Sequence, residues 1–135
     1  MNKAAITGIG GYVPDHVLSN KDLEKMVDTT DEWIISRTGI KERRILNDSK
    51  KATSYLAIKA ANNLINKKNL NPELIDLVIV ATITPDLPVA ATAAYVASKI
   101  GAKNAFAYDL QAACSGFLYG MSSAVSYINS GRYKK

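Results

Sequence analysis

The run IDLVIVATI at residues 75–83 is the feature that most constrains the fold of this chain. It is almost continuously apolar and rich in β-branched residues, and it does not alternate with polar ones. A strand buried on both faces has this pattern, which is typical of parallel sheets covered by helices on both sides. The run therefore predicts an inner strand of an α/β protein.

The segments around this run alternate between strand and helix patterns. Two more strands are predicted, a short buried one within AAITGIGGYVP at 4–14 and another at 104–110. Apolar residues recur at helical spacing in five other segments. These predicted helices span 19–27, 29–39, 52–68, 89–101 and the residues from Ser115 to Gly131. The order of the elements predicts an α/β layered fold with a mainly parallel sheet.

Local residues are expected to fix the ends of two of these helices. Ser19 and Asp22 have the spacing of a capping box at the start of the first helix. Thr30 can cap the second helix through its hydroxyl, and Gly39 can end it in the left-handed conformation.

The composition excludes several classes of protein. With 135 residues, 47% hydrophobic and 21% charged, the chain is expected to form one globular domain. No apolar run reaches the roughly 18–20 residues that cross a bilayer, and the start has no signal-peptide core. One cysteine excludes an internal disulfide framework. We therefore expect a soluble cytoplasmic protein with no membrane contact.

The net charge of +5 comes from basic clusters at 41–44, 50–51, 67–68 and 132–135. Such clusters are usually solvated surface, but they also attract acidic partners and phosphate-bearing ligands. The sequence contains no nucleic-acid-binding motif and no aromatic-rich basic platform, so nucleic acid is not expected as a partner.

The stretch QAACSGFLYG at 111–120 holds the only cysteine, Cys114. A lone free cysteine is most often a small buried apolar residue. Cys114, however, follows a predicted strand and precedes a predicted helix, where unpaired N–H groups and the helix dipole favour a thiolate. Its neighbours are small, so a substrate carbonyl can approach, and the setting resembles a nucleophile elbow. The residues alone leave both interpretations open, an inert thiol or a nucleophile.

A nucleophilic thiol normally works with a proton-transfer partner. The chain has one histidine, His16, in a loop-like context after Pro14 and Asp15. Nothing in the sequence connects His16 with Cys114, and a surface histidine is the simpler interpretation. Either the helix start activates Cys114 alone, or the base lies in residues that this chain lacks.

Trp33 and Arg37 are four residues apart on one predicted helix and therefore share a face. An exposed tryptophan beside a guanidinium can hold a flat ring such as adenine. The alternative is a tryptophan packed into the core while the arginine reaches solvent, and the residues alone slightly favour that alternative.

Three stretches together resemble a known family. TTDEWIISRTGIKERRI at 29–45, VATITPD at 80–86 and YDLQAACSGFLYG at 108–120 are similar to the amino-terminal half of β-ketoacyl-acyl-carrier-protein synthase III, in the same order and spacing. This is the condensing enzyme that initiates bacterial type II fatty acid synthesis. The resemblance implies a thiolase-like fold of two related α/β halves and a homodimer.

The resemblance also implies a reaction and its residues. Cys114 would accept an acyl group from an acyl-coenzyme A primer, its backbone N–H would help hold the thioester oxyanion, and malonyl-acyl carrier protein would then condense with loss of carbon dioxide. Acyl-coenzyme A is a substrate here, and no cofactor is expected. The residues implied to bind substrate are Asp28 and Thr29 beside the adenine, Trp33 stacked on it, Arg37 nearby, and Val89.

Val89 departs from the family pattern. Many relatives carry phenylalanine there, in a segment that the resemblance implies reaches across the dimer to the acyl pocket. The smaller side chain is expected to admit a larger or branched primer.

The catalytic histidine and asparagine of the family belong to its carboxy-terminal half, and His16 does not replace them. Residues 1–135 are therefore expected to be an amino-terminal half-domain, truncated before its last strands and unable to condense alone. Two other hypotheses remain: a related thiolase-superfamily condensing enzyme of secondary metabolism, or a non-catalytic fragment that binds coenzyme A or dimerises.

Overall fold

A computed structural model describes residues 3–135, which divide into two compact units. The first unit contains residues 3–12 and 51–135, and the second contains residues 13–50. In chain order the elements are β1 Val17–Ser19, α1 Asn20–Leu23, α2 Asp31–Thr38, β2 Glu42–Arg44, α3 Thr53–Lys68, β3 Leu77–Ala81, α4 Thr92–Lys99, β4 Phe106–Leu110 and α5 Gly116–Asn129.

The centre of the first unit is a parallel pair of strands. β3 and β4 are in register from Leu77 opposite Phe106 to Ala81 opposite Leu110. The strands and the parallel pairing predicted from the two apolar runs are therefore confirmed. α4 packs on this pair and supplies three of the six core residues buried within residues 3–135, Ala93, Val96 and Ala97, which cluster with Val80 of β3. The buried core residues are Val80, Ala93, Val96, Ala97, Ile100 and Ala102.

The prediction of a strand within residues 4–14 is wrong. Residues 3–14 belong to neither described sheet, and Ile6 and Ile9 are more than two-thirds exposed. Gly8 and Gly10 instead lie against α3, where a Cβ on Gly10 would stand 2.6 Å from the Leu64 Cβ. An extended segment becomes a strand only when its backbone groups pair with a neighbour, and apolar composition does not decide that pairing.

Helices are present in all five predicted segments, but α1 ends at Leu23, four residues before its predicted end, and α4 starts later than predicted. α4 begins at Thr92, so Val89 lies in the loop before it and not in its first turn. The N-cap residue of α4 is Ala91, whose side chain cannot cap a helix. The start of α4 is fixed by a side chain from β4, described below, and that contact is not visible in the local sequence.

The second unit contains a small sheet that the sequence did not reveal. β1 pairs antiparallel with β2, from Val17 opposite Arg44 to Ser19 opposite Glu42. Each strand has only three residues, which is too short for a period-two pattern to be recognised. The capping box of α1 is confirmed. A hydrogen bond from the Ser19 hydroxyl is the main cause that lowers the pKa of Asp22.

Within the described part of the chain, helix length and hydropathy do not reach what a membrane-crossing helix requires.

Gly10 and its neighbour Gly11 give a matched test of the packing against α3. A Cβ at residue 10 would come within 2.7 Å of the Ala60 carbonyl oxygen and the Leu64 nitrogen, whereas a Cβ at residue 11 would meet nothing within 4 Å. Because backbone atoms cannot move aside cheaply, we expect Gly10→Ala to lower the free energy of unfolding by about 1–3 kcal/mol. Urea unfolding measures the loss. Gly11→Ala is the control, and equal losses for the two variants would contradict this packing.

Candidate functional site

Cys114 lies in a tight turn between β4 and α5. β4 ends at Leu110, and a single 3₁₀ turn, Ala113–Ser115, leads directly into Gly116 at the start of α5. The thiol is exposed to solvent. The predicted strand–turn–helix setting is therefore confirmed, and the alternative of a buried filler thiol does not describe this structure.

The turn holds a strained residue next to the thiol. Ala113 has a φ angle of +44°, in the left-handed region that residues with a Cβ rarely adopt. The Ser115 N–H donates to the Ala112 carbonyl, at 2.9 Å, and closes the turn. Holding alanine in this conformation costs roughly 1–2 kcal/mol. Strain of this kind is concentrated at functional sites, and here it points the chain sharply from the strand into the helix.

Two glycines let α5 lie close to the sheet behind the turn. A Cβ on Gly116 would stand 3.3 Å from the Ala81 Cβ at the end of β3, and one on Gly120 would stand 3.7 Å from Ile79. Both glycines are buried, and the Ser115 side chain makes no capping hydrogen bond. The Gly116 N–H donates to the Ala113 carbonyl, and α5 starts directly after the Cys114 turn at the carboxyl end of the parallel strands, where ligands usually bind.

The same end of the sheet carries two aspartates that sequence reasoning missed. The carboxylate of Asp109 on β4 accepts the N–H groups of Thr92 and Ala93, at 2.8 and 2.7 Å, and so caps α4. The carboxylate of Asp86 accepts the N–H of Ser54 in the first turn of α3, at 2.8 Å. A charged residue inside an apolar strand, as in FAYDL, was the signal that could have revealed Asp109, because buried charges are almost always paired.

Val89 lies in the loop between β3 and α4, in the same unit as Cys114. Its side chain is 97% exposed, and Leu87 in the same loop is 59% exposed. An apolar side chain displayed in this way has no packing role within the described residues of its unit.

The second unit holds the other predicted substrate residues. Trp33 is 55% exposed, and the Arg37 guanidinium lies 5.3 Å from the centre of its ring. Asp28, Thr29, Thr30 and Trp33 line a cavity of about 290 Å³. The structure thus brings Asp28, Thr29 and Trp33 to one cavity with Arg37 beside it, and the expectation of a core-packed tryptophan does not hold.

Local contacts fix the helix that carries Trp33. The Thr30 hydroxyl accepts the Trp33 N–H at 3.1 Å, and Gly39 ends α2 with a φ angle of +70°, both as predicted. Asn20, only 1% exposed, donates through Nδ2 to the Asp31 carboxylate and to the Ile40 carbonyl. These bonds join the two ends of α2 to α1. The Trp33 ring therefore projects from a helix whose two ends are fixed.

His16 lies in the second unit and Cys114 in the first. The His16 side chain is exposed, as expected, and its backbone carbonyl accepts the Ile45 N–H. Residues 3–135 also contain no group of three or more histidine, cysteine, aspartate or glutamate side chains that could hold a metal ion.

Part of the basic surface is used within the second unit. Arg43 and Arg44 of the 41–44 cluster donate to backbone carbonyls of Leu18, Pro14 and Asp15. For these two arginines, the simpler interpretation as ordinary protein surface is sufficient.

Substitutions of Ala113 test whether the turn depends on its left-handed backbone. Ala113 is exposed, so a larger side chain has room. Because a β-branched side chain fits poorly at positive φ, we expect Ala113→Val to lower the free energy of unfolding by about 1–2 kcal/mol. Ala113→Gly relieves the strain and is expected to change stability by less than about 1 kcal/mol, in the stabilising direction. Urea unfolding measures both, and a valine variant as stable as the glycine variant would contradict the strained turn.

The candidate nucleophile lies in a segment that matches a family model. Residues 108–135 match 3-oxoacyl-[acyl-carrier-protein] synthase III. The chain is 59% identical over 132 residues to β-ketoacyl-[acyl-carrier-protein] synthase III 2 of Bacteroides thetaiotaomicron, covering 98% of this chain and 39% of that relative. It is 60% identical to the β-ketoacyl-[acyl-carrier-protein] synthase III of Phocaeicola vulgatus, again covering 98% of this chain and 40% of the relative.

Solved structures give the same result for the fold. The crystal structure of 3-oxoacyl-[acyl-carrier-protein] synthase III from Aquifex aeolicus superposes with a TM-score of 0.90 at 48% identity, over 99% of this chain and 42% of that one. The expected thiolase-like fold is thereby confirmed. By sequence and by fold, the chain matches the β-ketoacyl-acyl-carrier-protein synthase III family, over nearly all of its own length and about 40% of the length of its curated relatives.

Proposed function

We propose that this chain is the amino-terminal part of an acyltransferase that initiates type II fatty acid synthesis. The enzyme condenses an acyl-coenzyme A primer with malonyl-acyl carrier protein through a thioester on Cys114, and it releases 3-oxoacyl-acyl carrier protein and carbon dioxide. The observation that carries this proposal is the exposed thiol of Cys114 in a strained turn, inside the segment that matches the synthase family.

In the first half-reaction the Cys114 thiolate attacks the carbonyl carbon of the primer thioester. A carbon–sulfur bond to Cys114 forms, the bond to coenzyme A breaks, and the coenzyme A thiolate leaves. The carbonyl oxygen becomes negatively charged in between, and backbone N–H donors that are already oriented stabilise such an oxyanion. The Cys114 N–H, in the turn that opens α5, is the donor that this chain contributes.

In the second half-reaction malonyl-acyl carrier protein loses carbon dioxide, and the resulting carbanion attacks the acyl group on Cys114. The new carbon–carbon bond forms as the bond to sulfur breaks, which returns the thiolate. This step needs donors that stabilise the carbanion. We assign that role, as the family resemblance implies, to a histidine and an asparagine in a carboxy-terminal half outside residues 1–135.

The second unit supplies the site for the adenine of coenzyme A. Trp33 offers an exposed ring face with Arg37 5.3 Å from its centre, and Asp28 and Thr29 line the adjoining cavity. Aromatic and guanidinium groups attract a flat purine in this arrangement. Val89, at the tip of its loop, is the residue of this chain proposed to contact the primer acyl group.

The remaining partners follow from the reaction. The net charge of +5 favours an acidic carrier protein, and we propose a homodimer that works in the cytoplasm with no cofactor and without contact to nucleic acid or membrane. A reducing compartment suits an enzyme in which Cys114 must stay a free thiol.

A second candidate keeps the chemistry and changes the pathway. The chain superposes with a TM-score of 0.88, at 35% identity, on the priming β-ketosynthase of the R1128 polyketide biosynthetic pathway, over 94% of this chain and 38% of that one. A condensing enzyme of secondary metabolism is therefore the alternative to fatty acid initiation. A non-catalytic protein that only binds coenzyme A or dimerises is the third hypothesis.

Covalent acylation separates the enzymatic hypotheses from the non-catalytic one. We expect a longer protein of the relatives' length that contains these residues to gain one acyl group after incubation with acetyl-coenzyme A, and Cys114→Ala to gain none, because Cys114 is the thiol proposed to carry the acyl group. Intact-mass spectrometry measures the adduct. Residues 1–135 alone are expected to release no 3-oxoacyl product. An unacylated full-length protein contradicts catalysis, and product from the isolated segment contradicts the missing-base argument.

Trp33 is tested by its effect on substrate binding. Loss of one aromatic stacking partner for a base costs about 1–3 kcal/mol, so we expect Trp33→Ala to raise the KM for acetyl-coenzyme A roughly tenfold while kcat changes little. Steady-state kinetics give both constants. The control is Met26→Ala, which removes another exposed apolar side chain of the same unit. An unchanged KM in the tryptophan variant contradicts the adenine site.

A further inference from the structure

Asp109 is a charged residue in an otherwise apolar strand, and its two oxygens have specific partners. Oδ2 accepts the Thr92 N–H at 2.8 Å, and Oδ1 accepts the Ala93 N–H at 2.7 Å. Thr92 and Ala93 are 1% and 0% exposed, so water cannot replace the carboxylate at these donors. α4 has Ala91 at its N-cap, and its first turn is therefore held from β4.

The contacts continue from α4 into the loop that precedes it. The Thr92 hydroxyl oxygen accepts the Asp86 N–H at 3.1 Å. The Asp86 carboxylate in turn accepts the N–H of Ser54 on α3. α3 also has an alanine, Ala52, at its N-cap, so a loop aspartate caps it from outside. Residues 86–91, which we call the Val89 loop, are thereby fixed at both ends by one continuous set of hydrogen bonds.

Between these anchors the Val89 loop is exposed. Leu87 and Val89 are 59% and 97% exposed, so packing within their unit does not fix the positions of their side chains. Their position depends on the two ends, and the carboxylate of Asp109 holds one of those ends.

The strand that carries Asp109 also leads to the nucleophile. Leu110 follows Asp109 on β4, and Cys114 comes five residues after Asp109, beyond the strained turn. The Thr82 N–H donates to the Leu110 carbonyl at 3.1 Å, which extends the pairing of β3 and β4 to this edge. Asp109 thus joins the Val89 loop to the same rigid strand that positions Cys114.

We propose that Asp109 is a positioning residue that sets the primer selectivity of the enzyme by holding the base of the Val89 loop on β4, because that base decides where the loop reaches when it crosses the proposed homodimer to the acyl pocket. The selectivity role rests on the proposed function, whereas the positioning role does not. Asparagine has the size of aspartate but only one acceptor oxygen, so Asp109→Asn leaves a buried N–H of α4 unpaired and frees the loop.

The chain offers a matched control in Asp76, another carboxylate that accepts two backbone N–H groups. Its Oδ2 accepts those of Lys134 and Lys135, at 2.8 and 3.1 Å, beside the first residue of β3 and so at the other end of the sheet. Asp76→Asn therefore removes a comparable charge without touching the Val89 loop, and its remaining amide oxygen can still accept both N–H groups, so it controls for the loss of a carboxylate charge.

Primer selectivity is the first measurement, made on a longer protein of the relatives' length. We expect Asp109→Asn to change the ratio of kcat/KM between isovaleryl- and acetyl-coenzyme A by at least about fivefold, the effect of losing a charge-assisted bond. Asp76→Asn is expected to keep the wild-type ratio, and alkylation of Cys114 by iodoacetamide to proceed at the wild-type rate in both. An unchanged ratio in Asp109→Asn, or an equal change in the control, overturns the selectivity role.

A double-mutant cycle tests whether Asp109 acts through Val89. Val89→Phe is expected to shift selectivity towards acetyl-coenzyme A when Asp109 holds the loop, and to have a smaller effect beside Asp109→Asn. Coupled residues give non-additive effects. Additive effects show that Asp109 does not act through Val89.

Thr92→Val, which removes only the hydroxyl that accepts the Asp86 N–H, gives a second variant. It is expected to shift primer selectivity in the same direction as Asp109→Asn does.

Two measurements that need no activity keep the positioning role testable by itself. Amide hydrogen exchange at Thr92 and Ala93, and proteolysis within the Val89 loop, are both expected to be faster in Asp109→Asn than in wild type and unchanged in Asp76→Asn. If no primer acylates the wild-type protein, the proposed function fails, and with it the selectivity role. Faster exchange and cleavage in Asp109→Asn then still support positioning, and unchanged protection overturns it.

Discussion

The parallel pairing of β3 with β4 is the constraint on which the first unit depends. Because both strands run the same way, their carboxyl ends meet at one edge, and the chain leaves that edge twice. It leaves once through the loop that carries Val89 and once through the turn that carries Cys114. Residues that are 25 positions apart in sequence, 89 and 114, therefore belong to one end of one sheet. The turn can sit close above this edge because Gly116 lets α5 approach Ala81.

Electrostatic capping from a distance connects the helices of this unit to its sheet. α3 and α4 both begin after alanines, and both are completed by aspartates from elsewhere in the chain. A local serine or threonine would cap each helix independently of its neighbours. With remote carboxylates, the same bonds that satisfy the helix ends also fix the loop and the strand relative to each other.

The second unit is organised by local contacts. Thr30, Gly39 and the capping box at Ser19 each act within a few residues of their own position. The exposed ring of Trp33 therefore stands on a helix whose two ends are specified by its own sequence, with Asn20 joining those ends to α1. The two units thus present different chemistry, a thiol in one and an aromatic ring with a guanidinium in the other.

The sequence by itself determined the features that depend on neighbouring residues: the apolar strands at 75–83 and 104–110, the caps of α1 and α2, and the place of Cys114 between a strand and a helix. Only the tertiary structure decided that residues 4–14 form no strand, that α4 begins at Thr92, and that Asp109 caps it. Periodicity and capping residues act over one or two helical turns, so they can be read locally. Strand pairing and the hydrogen-bond partners of a charged side chain depend on groups that folding brings together from distant positions, and local patterns carry no record of those partners.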